Sequence, residues 1–270
     1  MKQRVISAIV ALAIVIPLFL LGKITWALGV AVVASFAYYE TLGLKESHKP
    51  YPNYIKILGF LGVELITLNN YIIGYDSPNI SFLVIALISL ALAIPTIFDK
   101  KGKYTTKEAF YLMGTVTFLG AFFNLLILIY NADKFLLLYL VLIAIFTDTF
   151  AMVIGCLIGK HKLIPDVSPK KSVEGSVAGS LVATSVASIF YYNIIGSNIN
   201  IIVLIIMTLI LSILGQLGDL FFSKIKRENN IKDYSNIMPG HGGILDRLDS
   251  LSFIILGYII IIQVLNMLIK

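Results

Sequence analysis

The chain has 270 residues, 58% of them hydrophobic and only 13% charged, with a formal net charge of +6. Soluble domains carry about 25% charged residues, so a water-soluble fold could not hide this much apolar surface. A soluble enzyme and a nucleic-acid-binding module are both excluded. The composition predicts an all-α polytopic membrane protein, in which the placement of charge matters more than its sum.

A span needs roughly 20 apolar residues. In chain order, nine are predicted: 5–22, 24–42, 54–75, 79–98, 108–130, 135–159, 176–196, 199–222 and 251–269. The first is read as a retained span, because it is long enough to cross and no small-residue cleavage site followed by polar sequence appears. Gly22-Lys23, Asn131–Lys134 and Gly196–Asn198 read as tight turns. No separate soluble stretch remains. Residues 1–270 read as a single integral membrane domain, with little assignable chemistry in 1–130 and the catalytic helices and loops in 131–270. Cys156 is the single cysteine, so no intrachain disulfide can form.

With nine spans the termini fall on opposite sides. All of the 21 Lys and Arg except Lys23, Lys134 and Lys270 then share one side. The positive-inside rule makes that side the cytoplasm, and it receives the N-terminus and the long loops 160–175 and 223–250.

A carboxylate at the centre of a span costs at least ~2.5–3.5 kcal/mol, so it faces a cavity or a partner. The candidates are Glu40, Glu64, Asp148 and Asp219. Glu40 lies near a helix end, where a structural role is expected. Asp148 lies 12 residues before Lys160, which is ~18 Å along a helix. Gly155 and Gly159 share its face, a small-residue surface suited to a homodimer contact or to internal packing. Ser212, Gln216, Asp219 and Ser223 step by four, three and four, one polar stripe running out to a basic loop. Such a stripe predicts a water-filled cleft.

The first long loop contains Ser168-Pro169-Lys170-Lys171 and then Glu174. Ser-Pro suits a turn or a helix start. The lysines suit phosphate or anionic headgroups. The second loop supplies Lys224, Lys226, Arg227 and Lys232, then Pro239-Gly240-His241-Gly242-Gly243. Such glycines let backbone amides approach an anion closely. Asp246 and Asp249 follow at i and i+3 on one face if a helix begins near Ile244. His48, His161 and His241 are scattered and no Cys/His zinc set exists. Hard carboxylates with cations and a glycine turn make a set for metal-assisted phosphoryl or nucleotidyl transfer. Its position at helix mouths points to a lipid substrate. No Walker A sequence is present, which disfavours an ATP-driven pump.

Ser223-Lys224-Ile225-Lys226-Arg227, Lys232-Asp233 and Pro239 to Asp249 together resemble the signature of the phosphatidate cytidylyltransferases (CDP-diacylglycerol synthases). Ser168 to Gly175 resembles a second segment of that family, with Ser172 where Thr is usual. Met238 also departs from the usual pattern. The motifs occupy the second half of the chain, and the hydropathy fits along most of it.

The resemblance implies that CTP and phosphatidate give CDP-diacylglycerol and pyrophosphate. It implies Mg²⁺ held by Asp219 and Asp246, with room for a second, monovalent cation such as K⁺. Lys226, Arg227 and Arg247 would neutralise phosphates. Ser168, Lys170, Lys171, Glu174, Ser223, His241, Gly242 and Gly243 would line the substrate site. Asp148 would extend the cavity, and Asp249 would orient Arg247 or cap the helix. The alternatives are a polyprenol kinase, an ion transporter using Asp148 and Asp219, and a lipid-binding scaffold. The CDP-alcohol phosphotransferase pattern D-G-x₂-A-R is absent.

Overall fold

The computed structural model describes residues 2–46, 50–73, 81–99, 102–196 and 199–269. His48, residues 74–80, Lys270 and two residues of the turn expected at Gly196–Asn198 lie outside the described residues. The architecture is helical, with one two-stranded ribbon. The elements are α1 (Lys2–Leu21), α2 (Lys23–Glu46), α3 (Asn53–Thr67), α4 (Asn69–Ile73), α5 (Phe82–Ala93), α6 (Pro95–Phe98), α7 (Thr106–Ala132) and α8 (Lys134–Ile158). Then come β1 (Lys162–Ile164), β2 (Ser168–Ser172), α9 (Val173–Phe190) with a π turn over Tyr191–Ile195, α10 (Ile201–Glu228) and α11 (Leu245–Ile269).

Among the described residues, six helices are long and apolar enough to cross a membrane: Lys23–Leu44, Thr106–Ala132, Lys134–Ile158, Val173–Ile195, Ile201–Glu228 and Leu245–Met267. Ile9–Leu21 and Phe82–Phe98 form shorter apolar helices. The chain is an integral membrane protein. Two of the expected spans are interrupted. The one read over 54–75 breaks at Leu68, where Asn124 of α7 donates to the Thr67 carbonyl (3.1 Å) and to Asn70 Oδ1 (3.3 Å). The one read over 79–98 breaks at Ile94 because Pro95 opens a new turn.

The chain divides into two compact units. One comprises residues 1–131 and 233–245, the other 132–232 and 246–270. In the first, Gly22 adopts φ +114, the conformation that lets α1 reverse into α2. Phe19, Trp26 and Tyr130 then meet, with Trp26 stacked on Tyr130 at 4.8 Å between ring centroids. The Tyr130 hydroxyl donates to the Phe19 carbonyl (2.6 Å). Glu64 is paired inside this unit, accepting from Ser35 Oγ (2.9 Å).

In the second unit, α8 and α9 pack at backbone contact. A Cβ on Gly179 would stand 2.5 Å from the Thr147 carbonyl oxygen and 2.9 Å from the Ala151 nitrogen. One on Gly155 would stand 2.8 Å from Ser172 Oγ, and Gly159 also lies against Ser172. The small-residue face expected to serve a dimer or the interior is therefore spent on packing inside the chain. The close approach lets the α10 stripe bond to both neighbours. Thr208 meets Tyr139 (2.7 Å) and Ser188 (3.2 Å), Ser212 meets Thr147 (2.7 Å) and Ser180 (3.0 Å), and Gln216 meets Ser176 and Ser180.

The stripe was expected to lead into a water-filled cleft. Its inner half is instead buried and satisfied by side chains of α8 and α9, because polar groups away from water must find partners. The Ser168-Pro169 segment also differs from expectation. It forms β2, paired antiparallel with β1, and the helix starts only at Val173, capped by Ser172 Oγ accepting from the Gly175 amide (3.2 Å). A two-stranded ribbon has only edges, where a proline without N–H is tolerated.

Replacing Gly179 with leucine should force α8 and α9 apart. Overpacking of this kind costs about 1–3 kcal/mol or more. The variant should unfold at a lower temperature than the wild type in the same detergent, as read by loss of folded protein in a heating series.

Candidate active site

The second unit gathers the charged residues of its helices at one end of α10. Asp219, one turn beyond the buried Gln216, accepts from Ser223 Oγ (3.2 Å) and forms an ion pair with Lys171 of β2. The ribbon thus has a purpose in the geometry: it carries Lys171 back over the helix ends. Lys226, two turns on from Asp219, is 8% exposed. Its ammonium bonds Asp246 Oδ1 in the first turn of α11 at 2.6 Å. That pair is screened from solvent, with side chains 10% and 5% exposed.

Asp148 and Asp249 join the same electrostatic neighbourhood. Asp148 Oδ2 accepts from Ser250 Oγ (2.9 Å), and Asp249 Oδ1 accepts from the Ser250 amide (2.8 Å). Asp148 feels the charges of Asp219 and Lys171, while Asp249 feels Asp219, Asp148 and Lys226. Asp148 is exposed although it lies ten residues from the end of α8, ~15 Å along the helix. A carboxylate that deep needs a partner, and Ser250 supplies one. Close approach of α11 permits the grouping, since a Cβ on Gly218 would stand 2.7 Å from the Asp249 carbonyl oxygen.

Other expected residues serve the loops. Glu174 accepts from the amides of Lys160 (3.1 Å) and His161 (3.2 Å) and from His161 Nδ1 (2.6 Å), closing the base of the ribbon. Ser168 opens β2 and Lys170 is exposed on it. Arg227 is exposed and donates to the carbonyls of Val167 (3.5 Å) and Ile231 (3.3 Å), tying the ribbon to the end of α10. Arg247 is exposed in the first turn of α11.

His241, Gly242 and Gly243 belong to the first unit. There the turn closes on itself, with Met238 N to Gly242 O at 3.0 Å and Gly242 N to Met238 O at 3.1 Å. Gly240 (φ +78) and Gly242 (φ +86) supply the left-handed backbone it needs. His241 Nδ1 pairs with Ser7 Oγ (2.5 Å). Just past the glycines, the chain's own carboxylate takes up the next amides. The buried Glu40 carboxylate accepts from the amides of Ile244 (2.8 Å) and Leu245 (2.9 Å). Sequence reading assigned Glu40 a structural role without finding these partners.

The donor set suits a divalent cation. Carboxylate oxygens are hard donors, and Mg²⁺ is ordinarily bound through one or two carboxylates with water and substrate phosphates completing its shell. Among the described residues no three Asp, Glu, His or Cys side chains converge to enclose an ion by themselves. The arrangement therefore fits a cation shared with phosphate oxygens better than a closed structural site.

The second unit thus brings acids and lysines together at the mouths of apolar, membrane-length helices. The chain belongs to the cytidylyltransferase family, whose description its residues 2–265 match. It is 33% identical over 260 residues to the phosphatidate cytidylyltransferase of Bacillus subtilis (strain 168), covering 94% of both chains. It is 34% identical over 260 residues to that of Staphylococcus haemolyticus, covering 94% of this chain and 96% of the relative. To that of Staphylococcus saprophyticus it is 35% identical over 269 residues, covering 98% and 100%.

Removing one partner of the Lys226–Asp246 pair takes a close ion-pair partner from a buried charge, a loss on the order of 3–5 kcal/mol. Lys226→Met should therefore lower the unfolding midpoint more than Lys171→Met, whose partner Asp219 is 24% exposed. Comparing the two heating curves in one detergent checks this.

Proposed function

We propose that the chain transfers the cytidylyl group of CTP to phosphatidate, giving CDP-diacylglycerol and pyrophosphate, at the acid–lysine cluster of its second unit. The observation that carries this reading is the pairing of Lys171 with Asp219 and of Lys226 with Asp246, in a chain of the cytidylyltransferase family. The relatives named above support the choice of lipid substrate.

A phosphate oxygen of phosphatidate attacks the α-phosphorus of CTP. The bond from that phosphorus to the bridging oxygen breaks, and pyrophosphate leaves with the electron pair. The attacking group is already an anion, so no protein nucleophile is required. Catalysis then consists of positioning and charge neutralisation. Asp219 and Asp246 would hold the divalent cation, with Asp148 and Asp249 adding negative charge around Asp219. A bound Mg²⁺ supplies Lewis-acid neutralisation of the triphosphate. Lys171 and Lys226 have short reach from these carboxylates to phosphate oxygens, which ammonium groups bind well. Lys170, Ser168, Arg227 and Arg247 line the mouth, where the nucleotide enters. Ser223 orients the Asp219 carboxylate through its hydroxyl. Glu174 keeps the ribbon closed, so that Lys171 stays over Asp219.

The excess of lysine and arginine on the loops supports a cytoplasmic mouth by the positive-inside rule. There a soluble nucleotide and a lipid phosphate can meet.

The test is purified protein in mixed detergent–phosphatidate micelles with CTP and Mg²⁺, following pyrophosphate and the lipid product by mass. CDP-diacylglycerol should form only with all three present. Asp219→Asn and Asp246→Asn should each lower turnover by about a thousandfold or more, the scale of losing a charge-stabilising group, while the protein still inserts. Wild-type turnover in either variant would remove that residue from the cation site. Phosphorylation of a lipid alcohol in place of cytidylyl transfer would replace the reaction.

A further inference from the structure

Glu40 stands out among the acids that the proposed reaction leaves unused. It is 2% exposed, on α2, far in sequence from the signature. Three donors from the segment 233–245 converge on its carboxylate: Ser235 Oγ (2.6 Å), the Ile244 amide (2.8 Å) and the Leu245 amide (2.9 Å). Ser235 Oγ in turn accepts from the Ile237 amide (3.3 Å), extending the grip along the loop. Gly243 is shaped around this group. A Cβ there would stand 2.7 Å from the Glu40 carboxyl carbon. Its φ is not among the positive ones, so close approach rather than backbone conformation is what requires glycine.

The amides concerned open α11. The first N–H groups of a helix have no partner within it, and they carry the positive end of its dipole. In most helices a residue just ahead in sequence caps them. Here the cap comes from another helix and is a carboxylate. The next residue along the chain is Asp246, and Asp249 follows one turn later.

We propose that Glu40 is a positioning residue for the reaction: by capping α11 and clasping Ser235, it fixes the loop 233–245 and the start of the helix bearing Asp246 and Asp249. This inference rests on the reading of the reaction given above. A glutamine at this position keeps the shape but offers one acceptor oxygen, so its NH₂ confronts one of the two amides. An alanine releases all three donors.

The experiment pairs Glu40 with Gly243 in a double-mutant cycle, using the full-length enzyme in phosphatidate micelles. Glu40→Gln should cut kcat by about tenfold. Glu40→Ala should cut it by about a hundredfold, the scale of a misplaced catalytic group. The unfolding midpoint of Glu40→Gln should stay near wild type, and kcat should be expressed per folded enzyme. A merely structural role would lower the midpoint and the yield and leave that kcat unchanged. Gly243→Ala should slow the wild type but add no further loss in the Glu40→Ala background, because its methyl group then has no carboxylate to meet. If Glu40→Ala does not fold, Glu40→Gln decides.

Wild-type kcat in Glu40→Gln, or an equal cost of Gly243→Ala in both backgrounds, overturns the proposal. Tryptic cleavage after the exposed Lys232 supplies a readout independent of activity. It should quicken in the Glu40 variants if Glu40 fixes the loop. If the wild type makes no CDP-diacylglycerol, the reaction fails as a reading, while unchanged cleavage would show separately that Glu40 does not hold the segment.

Discussion

An ionised side chain carried into a membrane helix has to be neutralised or hydrated where it lies, and the second unit is organised by that constraint. Asp148, Asp219, Asp246 and Asp249 lie on helices long and apolar enough to span. None of them is an isolated charge in hydrocarbon. Asp219 has Lys171 and Ser223, Asp246 has Lys226, and Asp148 and Asp249 both lean on Ser250. Glycines at 155, 175, 179, 215 and 218 bring the backbones close enough for these bonds to form. The tight packing and the charged cluster are thus one device. Helices held at van der Waals contact can support acids at their mouths, and acids so arranged can hold a cation and phosphates.

The inner half of the α10 stripe shows how the device is braced. Thr208, Ser212 and Gln216 use their hydrogen bonds on α8 and α9, so the helix cannot rotate without leaving buried polar groups unpaired. Asp219 and Ser223 continue the same face towards the loops. The stripe is braced at one end and charged at the other.

Much of this was legible in the sequence because its signals are local. Long apolar runs gave the helices, charge asymmetry marked the basic loops, and the four-three-four spacing put Asp219 on a polar face. The closeness of Asp148 and Asp249 to Asp219 was not legible, since it depends on how three helices cross. The ribbon 162–172 was missed because β1 and β2 are three and five residues long and carry no alternating apolar pattern. The capping of α11 by Glu40 joins residues 195 or more positions apart, beyond any local rule. The glycine at 243 was the available clue. Its close approach to the Glu40 carboxylate could not be read from local spacing.

The central claim is that the lipid phosphate attacks the α-phosphorus of CTP, and the most direct measurement follows the two labels of the nucleotide. CTP radiolabelled in its α-phosphate and CTP radiolabelled in its γ-phosphate are each incubated with the enzyme, phosphatidate and Mg²⁺, and the lipid and aqueous phases are counted. The account predicts label in the lipid from the α position alone, with the γ label appearing only in pyrophosphate. Transfer of the γ label to lipid would contradict it and make the chain a lipid kinase.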